Sequence, residues 1–281
     1  MTNIEQFTKY LESQKDREAT VLPTEYACFD EKLCYHGFHS GFLCSILGKS
    51  GTGKTSFLLN WIFKLLNAKR RVLFFSMEMA SNLIYDKLLQ MILEMSLEDL
   101  YAYTNDSHTN IMECLDRMGF FNNFFIYDRK YHVREIDAIV KEIKPDYLMV
   151  DYLQLLKTTK KDIFDKTEDW MYTLLDVSKT NNTRTVVLTQ MKRGKDEGHY
   201  SRKAPGAVCP LLDDARGGSV IEDACDLILG IWRPDLDVNS KQIEKNKTFG
   251  VFIKNRFSSM KNNSVMIWNF DKATGILNDS Y

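Results

Sequence analysis

The sequence contains no C-x-x-C pair, no internal repeat, no low-complexity tract and almost no net charge, with 37 Lys and Arg against 38 Asp and Glu. It also has no apolar run near the roughly 20 residues that a membrane-spanning helix needs. Each absence removes a class of protein. Without paired spacing, the cysteines at 28, 34, 44, 114, 209 and 225 read as reduced intracellular thiols rather than a disulfide framework. Cys28, Cys34, His36 and His39 could in principle ligate zinc, but their spacing matches no compact zinc pattern, and they lie in a Gly-containing turn before the first core strand. The first 20 residues carry Glu5, Glu12, Asp16 and Glu18 without an apolar core, so neither secretion nor organellar targeting is expected. The expectation is a cytoplasmic protein with no membrane partner. Balanced charge says nothing for or against nucleic acid, which leaves local patches to decide. With 281 residues, 44% of them hydrophobic, the chain can build one large domain plus an appendage.

What is present is a loop. Ile46 to Ser56 reads Ile-Leu-Gly-Lys-Ser-Gly-Thr-Gly-Lys-Thr-Ser and holds the full phosphate-binding pattern Gly48-x-x-x-x-Gly53-Lys54-Thr55. Gly48, Gly51 and Gly53 let backbone N–H groups curl round a phosphate with no Cβ in the way, together with Ser50, Thr52 and Ser56. The helix that follows turns its positive dipole end to the anion. Lys54 would reach the β- and γ-phosphates and the Thr55 hydroxyl would ligate Mg²⁺. The apolar run Phe42–Leu47 before the loop reads as a buried strand, and Phe57, Leu58, Trp61, Ile62, Leu65 and Leu66 recur behind it at helical spacing. Loop and flanks together predict a nucleoside triphosphate site, with Mg²⁺ as the expected cation.

Residues 2–16 open with Thr2-x-x-Glu5 and carry the narrow stripe Ile4, Phe7, Leu11, a helix too short to stand alone in water. It must dock on its own domain or on a neighbouring subunit, and polar residues 13–20 read as a linker. From Val21 to the end at Tyr281 strands and helices alternate. Strands are expected at 71–76, 124–127, 147–151, 185–190 and 227–232, and helices at 133–143 and about 166–180. A further helix places Leu83, Ile84, Leu88, Leu89, Ile92 and Leu93 inward. From Phe249 to Leu277 period-2 runs are separated by Asn262-Asn263 and by Asp271–Gly275, which predicts terminal hairpins. Strands apolar right through, alternating with helices, mean an α/β fold: a mostly parallel central sheet covered on both faces.

In such sheets ligands bind beyond the carboxyl ends of the strands. Asp151 ends the run Tyr147–Val150, the place for an acid that holds Mg²⁺ with Thr55. Glu78 follows the strand ending at Ser76 and could take a proton from an attacking water, or cap the next helix. Gln190 ends the fifth strand, where an amide can sense the γ-phosphate or serve as an ordinary hydrogen bonder. The segment after it carries Lys192, Arg193, Lys195, Arg202 and Lys203, and a second turn holds Arg216 and Gly217. These could grip a polyanion or be a solvated charged loop. Lys254 and Arg256, two residues apart on one strand face, could point at a neighbour's nucleotide as catalytic cations supplied in trans, or guard a sheet edge.

Together these residues resemble the RecA-type motor domain of hexameric replicative helicases, the DnaB family with its phage and mitochondrial relatives. The resemblance runs from about Leu22 to Leu277. Leu22-Pro23-Thr24 with Phe29-Asp30 is similar to the family's leading segment, and Phe75–Met79 to its catalytic-glutamate motif. Asp146–Leu155 is similar to its Mg²⁺-site motif, the segment from Asp214-Ala215-Arg216-Gly217-Gly218 through Asp226 keeps the length of the one that holds its DNA-binding loop, and Lys254-Asn255-Arg256 is similar to its paired lysine and arginine finger. The resemblance implies a RecA-like P-loop domain over residues 21–281, preceded by a linker helix within 1–20 that docks on the adjacent subunit. It implies a homo-oligomeric ring, usually of six, with ATP between neighbours and single-stranded DNA in a central channel, moving 5′ to 3′. The family's N-terminal collar or primase domain is not expected here, as in a short phage- or plasmid-like form, so a loader or primase partner is expected instead. Gly218-Ser219 inverts the family's usual Ser-Gly, and His36-Gly37-Phe38-His39 replaces a more glycine-rich turn. The rival reading is a RecA-like ATPase that acts as a nucleotide-dependent assembly switch without unwinding.

Overall fold

The computed structural model describes residues 4, 8, 20–106, 108–191, 207, 209–215, 217–236, 245–257 and 265–280. In chain order the strands are β1 (Val21–Leu22), β2 (Phe38–His39), β3 (Leu43–Gly48), β4 (Val72–Ser76), β5 (Phe124–Tyr127), β6 (Tyr147–Asp151), β7 (Arg184–Gln190), β8 (Leu227–Trp232), β9 (Lys247–Asn255), β10 (Met266–Phe270) and β11 (Leu277–Asp279). The principal helices are α1 (Lys54–Asn67), α2 (Ser81–Leu93), α3 (Leu97–Asp106), α4 (His108–Arg117), α5 (Ile136–Ile143), α6 (Ile163–Thr180) and α7 (Gly218–Ala224). β1 and β2 form a separate antiparallel pair.

The main sheet runs β5-β4-β6-β7-β3-β8-β9-β10-β11. Its first six strands are parallel, and β9, β10 and β11 extend it antiparallel. The parallel strands are apolar throughout because each face has its own core. Alternate residues such as Cys44, Ile46, Val72, Phe74, Tyr147 and Met149 pack with α1 and α2 on one face. Leu43, Leu47, Leu73, Phe75, Leu148 and Val150 pack with α5, α6 and α7 on the other. The period-2 geometry of a strand thus splits one hydrophobic run between two layers of helix.

The centre of the first layer is α1, whose expected stripe Phe57, Leu58, Trp61, Ile62, Leu65 and Leu66 is fully buried. Polar side chains on the same helix fasten distant segments to it. Trp61 Nε1 donates to Thr24 O at 2.7 Å, which holds the leading segment down. Buried Asn60 donates to Gly275 O at 2.9 Å and accepts from the Leu277 N–H at 2.7 Å, which joins α1 to the last hairpin.

Several boundaries and one orientation differ from the sequence reading. α6 starts at Ile163, capped by the Asp162 carboxylate on the Phe164 N–H, rather than at about 166. Residues 133–135 form a 3₁₀ turn and α5 proper begins at Ile136. On α2 the buried stripe is Ile84, Leu88 and Met91, while Leu83 is 47% exposed. A stripe recurring at i, i+4 and i+7 leaves the residue one position earlier rotated about 100° away from the core. The helix expected at 2–16 lies outside the described residues except for Ile4 and Thr8, both helical, and the turn at Asn262-Asn263 lies outside them altogether. No described helix is long and apolar enough to cross a membrane.

Candidate functional site

The loop between β3 and α1 owes its path to glycine. Gly51 and Gly53 have φ of +83° and +86°, a left-handed conformation that other residues adopt only with strain, and Gly53 is the N-cap of α1. At Gly48 the constraint is space: a Cβ would come within 2.9 Å of Thr52 Oγ1 and 3.0 Å of Ile231 O. Thr52 is buried and donates to Lys49 O at 2.8 Å, so it shapes the loop from behind. The loop opens on a cleft of about 390 Å³ at the carboxyl ends of β3, β4, β6 and β7.

Ser50, Gly51, Gly53, Lys54, Thr55, Ser56, Glu78, Asp151 and Gln190 all line this cleft, so residues scattered over half the sequence meet in one place. Lys54 Nζ donates to Gly48 O at 2.8 Å and Lys49 O at 2.9 Å, folded onto its own loop. Thr55 Oγ1 donates to Asp151 Oδ2 at 2.7 Å. Burial pushes the Asp151 carboxyl up to about 6; the Thr55 hydrogen bond opposes that, the Glu78 charge adds to it and the Lys54 charge opposes it. Burial likewise lowers the Lys54 ammonium to about 8, against the pull of Asp151 and Glu78. The site suits a polyphosphate with a divalent cation: a buried carboxylate left on its own is costly, and a cation between Thr55 and Asp151 would relieve it.

The neighbours of Glu78 and Gln190 are fixed by the sheet ends. The Met77 N–H donates to Asp151 O at 2.9 Å and Ser76 Oγ donates to Met79 O at 2.7 Å, which holds the turn carrying exposed Glu78 beside Asp151. The Gln190 N–H donates to Gln154 Oε1 at 3.4 Å. One residue on, Met191 bridges Ala215 in antiparallel fashion. Met191 and Ala215, the described residues just before the two basic segments, are therefore neighbours directly beyond Gln190. Lys192, Arg193, Lys195, Arg202, Lys203 and Arg216 lie outside the described residues. Gly217, with φ +83°, caps α7, and a Cβ there would come within 2.7 Å of Thr167 on α6.

Lys254 and Arg256 stand elsewhere. β9 is antiparallel to β8, with Leu227 opposite Asn255 and Trp232 opposite Phe249. Its end therefore lies at the amino edge of the parallel strands, away from the cleft. Along β3 alone the separation from Cys44 to Gly48 is roughly 13 Å at about 3.3 Å per residue. Arg256 is half exposed and is aimed by Asp226, Nη1 to Oδ1 at 3.2 Å, and by Asp223 O at 3.1 Å. Lys254 Nζ donates to Glu222 O. Asp226 also accepts the Leu43 N–H at 3.0 Å, so the pair is anchored to the base of β3.

Three cleft residues fall outside the sequence-based set: Met79, Tyr152 and Arg233. Arg233 follows β8 and is clamped by Asp235, Nε to Oδ1 at 3.1 Å and Nη2 to Oδ2 at 2.8 Å. It carries a readable signal, because it follows the end of a strand just as Glu78 does. It lies on the β8 side of β3, while Gln190, Asp151 and Glu78 lie on the β7, β6 and β4 side. The cleft therefore has a carboxylate-and-amide end and a guanidinium end.

Residues 21–272 match the family of the DnaB-like helicase C-terminal domain. A replicative DNA helicase DnaB of Helicobacter pylori is 25% identical over 226 residues, covering 77% of this chain and 44% of its own length. A probable plasmid replicative DNA helicase of Chlamydia psittaci is 25% identical over 267 residues, covering 90% of this chain and 54% of its own. The chain thus spans about half the length of these relatives. Among solved structures, one of an ATPase domain aligns with a TM-score of 0.80 at 19% identity, over 100% of this chain and 99% of that one. A DnaB-like replicative helicase, described with its interactions with primase, aligns with a TM-score of 0.76 at 20% identity, over 100% of this chain and 67% of that one. These structures share the fold, a RecA-like α/β domain.

Proposed function

The chain belongs to the DnaB-like helicase C-terminal domain family, and from that premise we propose that it is an ATP-driven, ring-forming replicative DNA helicase motor that moves 5′ to 3′ on single-stranded DNA. Residues 21–281 would be the motor and residues 2–16 a helix that docks on the adjacent subunit. One observation carries the reading: Lys54, the Thr55–Asp151 pair, Glu78 and Gln190 share one cleft, while Lys254 and Arg256 sit at the opposite edge of the same sheet. The first set would serve hydrolysis of a bound triphosphate; the second, away from its own cleft, would act on a neighbour's rather than on its own.

Each residue then has a task. Lys54 would leave its loop carbonyls for phosphate oxygens, and the loop N–H groups would hold the same group from below. Thr55 and Asp151 would hold Mg²⁺, which supplies charge neutralisation at the β- and γ-phosphates. Glu78, beside Asp151, would accept the proton of the attacking water. Gln190 would contact the γ-phosphate and pass its loss to the basic segment that begins one residue later. Lys192, Arg193, Lys195, Arg202, Lys203, Arg216 and the Gly217 backbone would hold the strand, with Lys254 and Arg256 reaching the next subunit's γ-phosphate in a hexamer. A primase or a loader would be the protein partner.

The test is steady-state ATP hydrolysis with and without oligothymidylate, alongside unwinding of a forked duplex. Stimulated hydrolysis and strand separation are expected. Hydrolysis indifferent to DNA, with no unwinding, would overturn the proposal in favour of the assembly switch.

A further inference from the structure

Asp226 immediately precedes β8 and meets both backbone groups of Leu43, the first residue of β3. Its N–H donates to Leu43 O at 2.8 Å and its Oδ2 accepts the Leu43 N–H at 3.0 Å. The same residue meets Arg256 twice: its carbonyl accepts the Arg256 N–H at 2.9 Å and its Oδ1 accepts from Nη1 at 3.2 Å. Asp226 is buried and Arg256 is half exposed, so the carboxylate is the fixed partner and the guanidinium the one that reaches solvent. The chain beyond is held as well. The Phe257 N–H donates to Asn255 Oδ1 at 3.1 Å, and the Phe257 ring lies 4.7 Å from His39 and 5.8 Å from Phe42. With the backbone pinned on both sides of Arg256, what the carboxylate decides is the direction of the guanidinium. An ion pair with an exposed member adds little to stability, so stability alone does not account for a carboxylate shared between Leu43 and Arg256.

A guanidinium carries five N–H groups. In Arg256 one on Nη1 goes to Asp226 and one on Nη2 goes to Asp223 O at 3.1 Å, which leaves the other three for a ligand. That is enough for the paired donation a phosphate accepts. Lys254 Nζ donates to Glu222 O, so two consecutive carbonyls of α7 and one carboxylate cradle both cations. We propose that Asp226 is the positioning residue for catalysis in trans: anchored on Leu43, its carboxylate sets the Arg256 guanidinium so that its remaining N–H groups meet the next subunit's γ-phosphate. That role rests on the proposed completion of a neighbour's site by Arg256. It adds that the arginine works only when its own subunit holds it, and that a carboxylate with both oxygens engaged is what holds it.

The test is a double-mutant cycle on the full chain, read as DNA-stimulated ATP hydrolysis. Asp226→Asn keeps one acceptor for two donors, the Leu43 N–H and Arg256 Nη1. Asp226→Glu keeps both acceptors and the charge but moves the carboxylate by one methylene, and it decides the matter if the first variant folds poorly. A displacement of that order is enough to disable a positioned group. Each is made alone and with Arg256→Ala, and melting and the binding of a fluorescent ATP analogue are recorded for all. Each Asp226 variant alone should lower kcat about tenfold or more with KM for ATP within about twofold, and should bind the analogue as the wild type does. Added to Arg256→Ala, neither should lower kcat further. Losses that multiply, or analogue binding that falls together with kcat, would mean that Asp226 supports β3 of its own subunit, and would overturn the proposal with the trans reading intact. Wild-type kcat in both Asp226 variants would overturn it equally. Wild-type kcat in Arg256→Ala would instead count against the trans reading itself and remove the role of Asp226 with it.

Discussion

The Thr55 hydroxyl donates to Asp151 Oδ2 at 2.7 Å, joining the first turn of α1 to the end of β6 across 96 residues of sequence. This one contact ties the phosphate loop to the strand-end acid. It also places a carboxyl that is 1% exposed next to a hydroxyl rather than a counter-ion.

Asp151 is therefore a residue that costs stability. Its folded value, about 6, lies above the ordinary carboxylate value of 3.8. Between those values the folded chain binds more protons than the unfolded one, so stability falls as pH rises through the window and the full cost is present above about pH 6. Asp151→Asn should raise the melting temperature at pH 7.5 by a few degrees, about 2 kcal/mol, while hydrolysis falls on the order of a thousandfold. Calorimetry and a hydrolysis assay on one sample check both. A lower melting temperature would remove the case for a strained acid.

The same two groups set a pH profile. Asp151 must be ionised to hold a cation and Lys54 must be charged to meet a phosphate. With values of about 6 and about 8 in the free protein, kcat/KM should be bell-shaped with limbs near those two pH values. The acid limb should disappear in Asp151→Asn against whatever residual rate remains. A flat profile from pH 6 to 9 would contradict the roles given to this pair.

Arg233 predicts a different kind of loss. It stands at the guanidinium end of the cleft, away from Glu78 and Gln190, so it can hold the nucleotide without touching the reacting phosphate. Arg233→Ala should raise KM for ATP about tenfold with kcat within about twofold, the mark of uniform binding. Asp235→Asn, which releases one side of the clamp, should give a smaller shift in the same direction. An equal fall in kcat would place Arg233 at the chemistry instead.

The parts of this design that were legible in the sequence share a cause. Strand runs such as Tyr147–Asp151 and Leu227–Trp232 are apolar at almost every position because both faces are covered, and such runs are easy to see. The glycine loop was legible because the φ values at Gly51 and Gly53 tolerate little else. Arg233 was legible in principle, since the strand-end rule that found Asp151 and Gln190 extends to it. The place of Lys254 and Arg256 was not legible in the same way. A period-2 run gives a strand but not its direction, and only the antiparallel pairing of β9 with β8 puts those cations at the far edge.

The central claim is that the cleft of one subunit is completed by the cations of another, and mixing subunits tests it most directly. Arg256→Ala chains are added in increasing proportion to wild-type chains, and DNA-stimulated ATP hydrolysis is followed. Arg256 is anchored by Asp226 and Asp223 far from its own cleft, so the variant should bind ATP normally yet depress hydrolysis more steeply than its share of the mixture. A strictly proportional decline, with each wild-type chain keeping its full rate, would contradict completion in trans.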